Sequence, residues 1–129
     1  MNRKLAVFCL CAIVFGLMIQ DGASAKPAVN SITQVRKVYV QRLTGDAVFN
    51  SLLKNEMRKM GLQFVREKAS ADAILTGSGE YAAGEFYGQI KFFNSKGKLI
   101  WQAKATRPRN SNYMAYSRLA DQLRRALRK

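Results

Sequence analysis

Histidine is absent from this 129-residue sequence, and its two cysteines, Cys9 and Cys11, both lie near the amino terminus. Zinc sites are built mainly from cysteine and histidine, and covalent catalysis commonly uses a thiolate or an imidazole base. Acidic residues are also scarce, at 8 against 22 lysines and arginines. The composition therefore argues against a zinc protein, a thiol enzyme or a histidine-based hydrolase.

The amino-terminal segment has the three parts of a secretory signal peptide. Arg3 and Lys4 form a basic start, residues 5–19 form an uncharged apolar run, and Ala23-Ser24-Ala25 provides the small-x-small cleavage pattern. An uncleaved membrane anchor is the alternative, but the run is shorter than the roughly 20 apolar residues that cross a bilayer. The sequence predicts that residues 1–25 are removed after Ala25.

Cleavage would leave a mature chain, from Lys26 onward, that contains no cysteine and can form no disulfide. Cys11 lies within the apolar run rather than just after it, so no lipidation site is predicted. The remaining 104 residues suffice for one compact domain stabilised by an apolar core. We therefore expect a periplasmic or secreted protein without a lipid anchor.

The charge of the mature chain is strongly positive. Removing Arg3, Lys4 and Asp21 leaves 20 basic and 7 acidic side chains, a net charge of +13. Such an excess attracts anionic partners through a field that salt weakens. Outside the cytoplasm the candidates are lipopolysaccharide, lipid headgroups, an anionic wall polymer or nucleic acid. The alternative is that the charge only maintains solubility.

Hydrophobic periodicity predicts seven regular elements in a β-α-β-β-β-β-α order. A flexible lead-in (26–34) precedes strand 35–42, a helix to about Met60, and strands 62–66, 73–82, 85–94 and 98–105. A loop (106–110) then leads to a helix that ends near Leu127. This order predicts a two-layer α+β fold in which both helices pack on one face of a mostly antiparallel sheet.

Both helices carry end signals and an apolar stripe. Asp46 or Thr44 is available to cap the first helix, Gly61 to end it, and Ser111 or Asn112 to cap the second. Glu56 falls inside the first helix's apolar stripe. We expect its carboxylate to reach water or an arginine, rather than to act as a functional acid.

Alternation along the strands predicts which side chains face the helices. Phe86, Gly88, Ile90 and Phe92 share one face, as do Leu99, Trp101, Ala103 and Ala105. The opposite face, here called the open sheet face, is predicted to carry Lys37, Tyr39, Gln41, Tyr87, Gln89, Lys91, Lys98, Gln102 and Lys104. Its lysines and tyrosines suit an anionic ligand, although any solvated face of a basic protein is similar.

The other candidate surface, here called the arginine cluster, lies at the end of the chain. It consists of Arg107, Arg109, Arg118, Arg124, Arg125, Arg128 and Lys129. Arginine forks match phosphate geometry well. Arg118 and Arg125 are two turns apart on one helix face with Asp121 between them, so ordinary helix-surface charge is the alternative interpretation.

Two segments carry a resemblance to a family of small periplasmic α+β domains. Residues 71–79 (ADAILTGSG) and 93–101 (FNSKGKLIW) are similar to its strand-start and hairpin patterns, and Gly61-Leu62 with Phe64-Val65 fits upstream. The family includes the amino-terminal domain of TolB, CsgG, LpoB and LptE. The resemblance implies an accessory, non-enzymatic role in envelope assembly or export, without the lipidated cysteine of its lipoprotein members. The partner is then expected to be an anionic envelope component or an envelope protein.

Two other function classes are alternatives to an envelope role. Glu80 and Glu85 flank a tight turn and could form a glycosidase-like acid pair, but no base or pocket pattern accompanies them. An exported nucleic-acid-binding protein is the alternative function, because the basic composition also suits that ligand. No catalytic residue, metal site or cofactor is predicted, and the oligomeric state stays open.

Overall fold

The computed structural model describes residues 27–108 and 112–129, and the side chains of the latter segment from Met114 onward. The predicted signal peptide and Arg109 lie outside the described residues, as does Ser111. Within them, the fold is α+β.

The order of elements agrees with the sequence prediction. After a 3₁₀ turn (Ile32–Gln34) the chain forms β1 (Lys37–Gly45), α1 (Ala47–Lys59), β2 (Gln63–Phe64), a second 3₁₀ turn (Lys68–Ser70), β3 (Ala73–Ala82), β4 (Glu85–Phe93), β5 (Leu99–Pro108) and α2 (Asn112–Leu127). Of the two predicted caps, Asp46 is used, because its carboxylate accepts from the backbone N–H groups of Val48 and Phe49. Gly61 follows α1 with a φ of 95°, a conformation that favours glycine.

The five strands form one mixed sheet in the order β2-β1-β3-β4-β5. β1 pairs in parallel with both β2 and β3, whereas β3, β4 and β5 are antiparallel neighbours joined by hairpins. The antiparallel ladders are the longer ones. β1 joins in parallel because α1 carries the chain back to the starting end of the sheet before β2 begins.

Both helices pack on the same face of the sheet. α2 lies on β4 and β5 and also contacts α1, which reaches β1 and β3. Phe49 and Leu53 of α1 and Leu119 and Leu123 of α2 are buried in one core with alternate residues of the strands. Val38, Phe86, Ile90 and Phe92 of that core are fully buried, as the strand alternation predicted.

Two β-bulges change the faces that simple alternation assigned. In β5 the register shifts so that Trp101 lies opposite Phe92 but Leu99 lies opposite Phe93, on the open sheet face. The prediction that Leu99 faces the helices is therefore wrong, and its side chain is 39% exposed. In β1 a shift between Val40 and Arg42 similarly moves Arg42 to the open sheet face.

The segment before β1, which the sequence predicts to be a flexible lead-in, makes defined contacts with the domain. Ser31 and Gln34 form a reciprocal capping box around the 3₁₀ turn, and Ile32 is 6% exposed within the core. The side-chain amide of Asn94 donates to the Val29 carbonyl at 2.9 Å. Residues 27–34 thus pack onto the domain through the apolar side chains of Val29 and Ile32 and through this hydrogen bond.

Three strand boundaries also differ from the prediction. β1 extends to Gly45, because Thr44 and Gly45 continue the ladder with β3. β5 continues through residues 106–108, which the sequence assigned to a loop, because they pair with the start of β4. β2 shrinks to Gln63–Phe64 at the sheet edge.

Candidate functional site

Neither α-helix covers the open sheet face, and the strand register arranges its side chains in rows. One row across β1, β3, β4 and β5 contains Arg42, Thr76, Lys91 and Gln102. The next row contains Thr44, Ser78, Gln89 and Lys104. Neighbouring strands lie about 4.8 Å apart, so Arg42 and Lys91 stand roughly 10 Å apart across β3.

The two rows form a polar recess of about 230 Å³. Its side chains are those of Arg42, Thr44, Thr76, Ser78, Gln89 and Lys91. Two cations therefore stand on either side of hydroxyl and amide groups that can donate hydrogen bonds. No acidic side chain of the described residues lines this recess, so its chemistry suits an oxyanion such as a phosphate or a carboxylate.

An apolar row lies beside this recess on the same face. Tyr39, Ile74, Phe93 and Leu99 are consecutive neighbours across the four strands. Ile74 and Phe93 line a second recess of about 350 Å³, and Lys68 and Lys96 lie at its rim. The open sheet face therefore combines a basic, hydroxyl-rich recess with an apolar strip bordered by lysines.

The residues that the sequence predicts for this face are only partly brought together. Lys37, Tyr39, Tyr87, Lys91 and Lys104 occupy the face, with Lys37 at the start of β1. Lys98 precedes β5 and lies in the turn, where its N–H and C=O bond to Asn94. Because of the bulge, Leu99 rather than Lys98 is the first β5 residue on the open sheet face. Arg42 was missed, since the bulge at Gln41 has no signal in the residue pattern. Thr76 and Ser78 of β3 were missed as well, although they alternate with core-facing residues of that strand.

The opposite end of the open sheet face is acidic. Glu80 lies opposite Tyr87, whose hydroxyl donates to Glu85 at 2.8 Å. This hydrogen bond, together with the negative charge of Glu85, raises the pKa of Tyr87 above its usual value. Both carboxylates are solvent-exposed, and one is occupied by the tyrosine, which is unlike a catalytic acid pair in a pocket.

The arginine cluster does not form a single surface. Arg124 contacts Glu56 of α1 at 3.1 Å and Asp121 at 2.8 Å, so its charge is used within the protein. Arg125, Arg128 and Lys129 are exposed at the end of α2. Arg109 lies outside the described residues.

Arg107 and Arg118 instead lie beside the same groove at the edge of the sheet, Arg107 on β5 and Arg118 on α2. With Gln122 and residues 104–106 they line this groove of about 200 Å³ between β5 and α2. The Arg107 Nε is buried and has no hydrogen-bond partner among the described residues. Lys104, which belongs to the open sheet face, also borders this groove, so the two predicted surfaces meet along β5.

Within residues 27–108 and 112–129, no helix has the length and apolar character needed to cross a membrane. The same residues contain no group of three or more acidic side chains placed to hold a metal ion. The geometry of the described part therefore offers basic and hydroxyl groups for binding, concentrated on the open sheet face and at the β5 edge.

Comparison with solved structures places this fold beside TolB. TolB from Acinetobacter baumannii is similar over 73% of this chain, with a TM-score of 0.58 and 13% identity, and this chain spans 28% of it. A minor lipoprotein from Acinetobacter baumannii (13% identity, 78% of this chain and 92% of that one) has a TM-score of 0.45. Lipoprotein B from Nitrosomonas europaea (12% identity, 80% and 88%) has one of 0.41.

No protein-family model and no curated protein sequence matches this chain. Of the three structures, TolB alone scores above 0.5, and 13% identity establishes a shared fold rather than a shared ligand. The fold resemblance that the sequence motifs implied is thereby confirmed.

Proposed function

We propose that this protein is an exported, non-enzymatic binding module of the bacterial cell envelope. Its open sheet face binds anionic envelope material, such as lipopolysaccharide or lipid headgroups. The observation that carries this proposal is the recess between Arg42 and Lys91, where two cations flank the Thr76 and Ser78 hydroxyls beside an apolar strip. A lipid has an anionic headgroup that suits the basic recess and an adjoining apolar chain that suits the apolar strip.

Export is supported by the sequence. The basic start, apolar run and Ala23-Ser24-Ala25 pattern of residues 1–25 meet the requirements of a signal peptide. The mature chain would begin at Lys26 and fold without a disulfide or a lipid anchor. In the periplasm or outside the cell, its positive charge faces anionic polymers and lipids rather than cytosolic nucleic acid.

The open sheet face is favoured over the arginine cluster because its cations are not neutralised by neighbouring carboxylates to the same extent. Arg124 is neutralised by Glu56 and Asp121, which reduces the charge the cluster offers to a ligand. Lys91 and Arg42, in contrast, line a recess to which the described part of the chain contributes no carboxylate. Binding there proceeds by charge neutralisation and hydrogen bonding, with no bond made or broken.

The test is co-sedimentation of the mature protein with vesicles containing either lipopolysaccharide or phosphatidylglycerol, at low and high salt. We expect binding that weakens steeply with salt and is lost in Arg42→Glu/Lys91→Glu. The matched control is Arg118→Glu/Arg125→Glu, which changes the net charge equally but lies on α2. This control should retain most of the vesicle binding.

Three results would contradict the proposal. Equal losses in both charge-reversal pairs would show general cation behaviour, as would equal affinity for an oligonucleotide of the same charge. Mass spectrometry of the protein from an expressing bacterium gives the second check. The expected product is a periplasmic chain that begins at Lys26, and an intact amino terminus on cytosolic material would overturn the export proposal.

A further inference from the structure

β5 forms one edge of the sheet, and most of its length is regular. The register shift is confined to its start, near residues 99–101, and the ladder with β4 then runs to Pro108. The other edge is different, because β2 is only two residues long and β1 behind it is bulged. Bulges and short strands protect sheet edges from added strands. The β5 edge has neither device along residues 102–107.

The backbone groups that β5 presents at this edge can be identified. In an antiparallel ladder, alternate residues direct both N–H and C=O away from the partner strand. The Gln122 side chain of α2 donates to the Lys104 carbonyl at 3.4 Å, which places that carbonyl on the outer side. Gln102 and Thr106 have the same parity, and all three residues are solvent-exposed.

The groove beside this edge is lined by cationic side chains that suit carboxylates. Arg107 lies on the helix side of β5, in line with Ala103 and Ala105, and Arg118 of α2 stands across the groove from it. The buried Arg107 Nε lacks a hydrogen-bond partner among the described residues, so an acceptor in the groove would satisfy it. Lys104 borders the groove, and within residues 27–108 and 112–129 no acidic side chain lines it.

The positive charges of Lys104, Arg107 and Arg118 determine which kind of strand can bind at the β5 edge. A second copy of β5 would bring its own Lys104 and Arg107 against these cations, and like charges in an interface oppose association. An extended segment with carboxylates on alternate residues would instead place them on the helix side, toward Arg107 and Arg118. Its backbone would bond to the outward groups of residues 102–106.

We propose that the β5 edge binds an extended, acidic segment of another protein as an added sixth strand, with its alternate carboxylates held by Arg107 and Arg118. The long Gln122 bond to Lys104 is released when the segment docks. This site adjoins the open sheet face at Lys104, but it uses the backbone edge of β5 and the helix side of the sheet, and it does not depend on the proposed lipid contact.

The test uses a short synthetic peptide with glutamate at every second position and threonine between, and titration calorimetry with the mature protein. We expect Arg118→Glu to weaken binding at least about tenfold, since charge-assisted bidentate bonds are strong. Arg128→Glu on the same helix is the matched control and should change affinity by less than about twofold. Gln122→Ala should bind at least as well as the original protein, because the Lys104 carbonyl is then already free.

Backbone pairing is tested separately from charge. The peptide should slow amide hydrogen exchange at Gln102, Lys104 and Thr106, and an analogue N-methylated at the residues facing β5 should bind at least about tenfold more weakly. Equal binding by that analogue, or by a peptide of the same composition with its glutamates consecutive, would overturn the proposal. So would protection of these amides by anionic vesicles alone or by self-association.

Discussion

Arg124 of α2 and Glu56 of α1 form an ion pair with a 3.1 Å N–O distance that joins the two helices. Arg124 also contacts Asp121 in its own helix at 2.8 Å, and Lys59 contacts the other oxygen of Glu56 at 3.2 Å. This arrangement explains why an acid lies in the apolar stripe of α1. The expectation that Glu56 reaches an arginine or water is confirmed.

Removal of Arg124 should destabilise the fold more than removal of Lys59. The Arg124 pair is partly shielded from solvent, whereas the Lys59 side chain is 71% exposed. We expect Arg124→Ala to lower the free energy of unfolding by about 1 kcal/mol and Lys59→Ala by less than about 0.5 kcal/mol. Urea denaturation of both, with a Glu56→Ala double-mutant cycle, measures the coupling. Equal losses would show that the helices are joined by apolar packing alone.

Gly88→Ala should be strongly destabilising, because β3 and β4 use paired glycines to admit an aromatic ring. A Cβ on Gly88 would lie 2.9 Å from Phe49 Cζ and 3.2 Å from Leu119 Cδ1, and one on Gly79 would meet Phe49 and Phe86. We expect a loss of about 1–3 kcal/mol from this overpacking. Thermal unfolding of Gly88→Ala, with and without Phe49→Leu, tests the cause. We expect the double variant to recover part of the lost stability. If it recovers none, contact with the Phe49 ring is not the cause of the loss.

Asn94→Ala should loosen both the β4–β5 turn and the segment before β1. The Asn94 side chain is 2% exposed, accepts from the N–H groups of Lys96 and Lys98, and donates to Val29. We expect a loss of about 2 kcal/mol and faster hydrogen exchange at the Val35 amide. Ser95→Ala in the same turn is the control and should change stability little. Unchanged exchange at Val35 would mean that the apolar side chains of Val29 and Ile32 hold the segment without this hydrogen bond.

The phenol of Tyr87 should titrate at higher pH than an ordinary tyrosine, whose pKa is about 10. Its hydroxyl donates to Glu85, and both this bond and the carboxylate charge favour the protonated phenol. Any stability from the bond is therefore present below the ordinary pKa and lost as the pH rises through the raised value. Ultraviolet titration of the protein and of Glu85→Gln measures the effect. An unchanged midpoint in Glu85→Gln would contradict it.

Much of the fold follows from local patterns in the chain. The apolar spacing of α1, with Asp46 before it and Gly61 after it, defines a helix whose ends need no tertiary information. The alternation of Phe86, Ile90 and Phe92 places them on the core face because side chains change sides at every strand residue. The candidate site was only partly predictable from such patterns. Tyr39, Lys91 and Lys104 were found, but Arg42 and its hydroxyl neighbours in β3 were not.

The sequence alone determined the order of elements, the core-facing stripes and the excess of positive charge, because these depend on residue type and short-range spacing. The tertiary structure alone decided that β1 lies between β2 and β3 and that bulges turn Arg42 and Leu99 to the open sheet face. It also decided that Arg124 is ion-paired, whereas the buried Arg107 Nε has no hydrogen-bond partner among the described residues. Strand order and bulges arise from long-range hydrogen bonding and packing, for which the neighbouring residues in the chain give no signal.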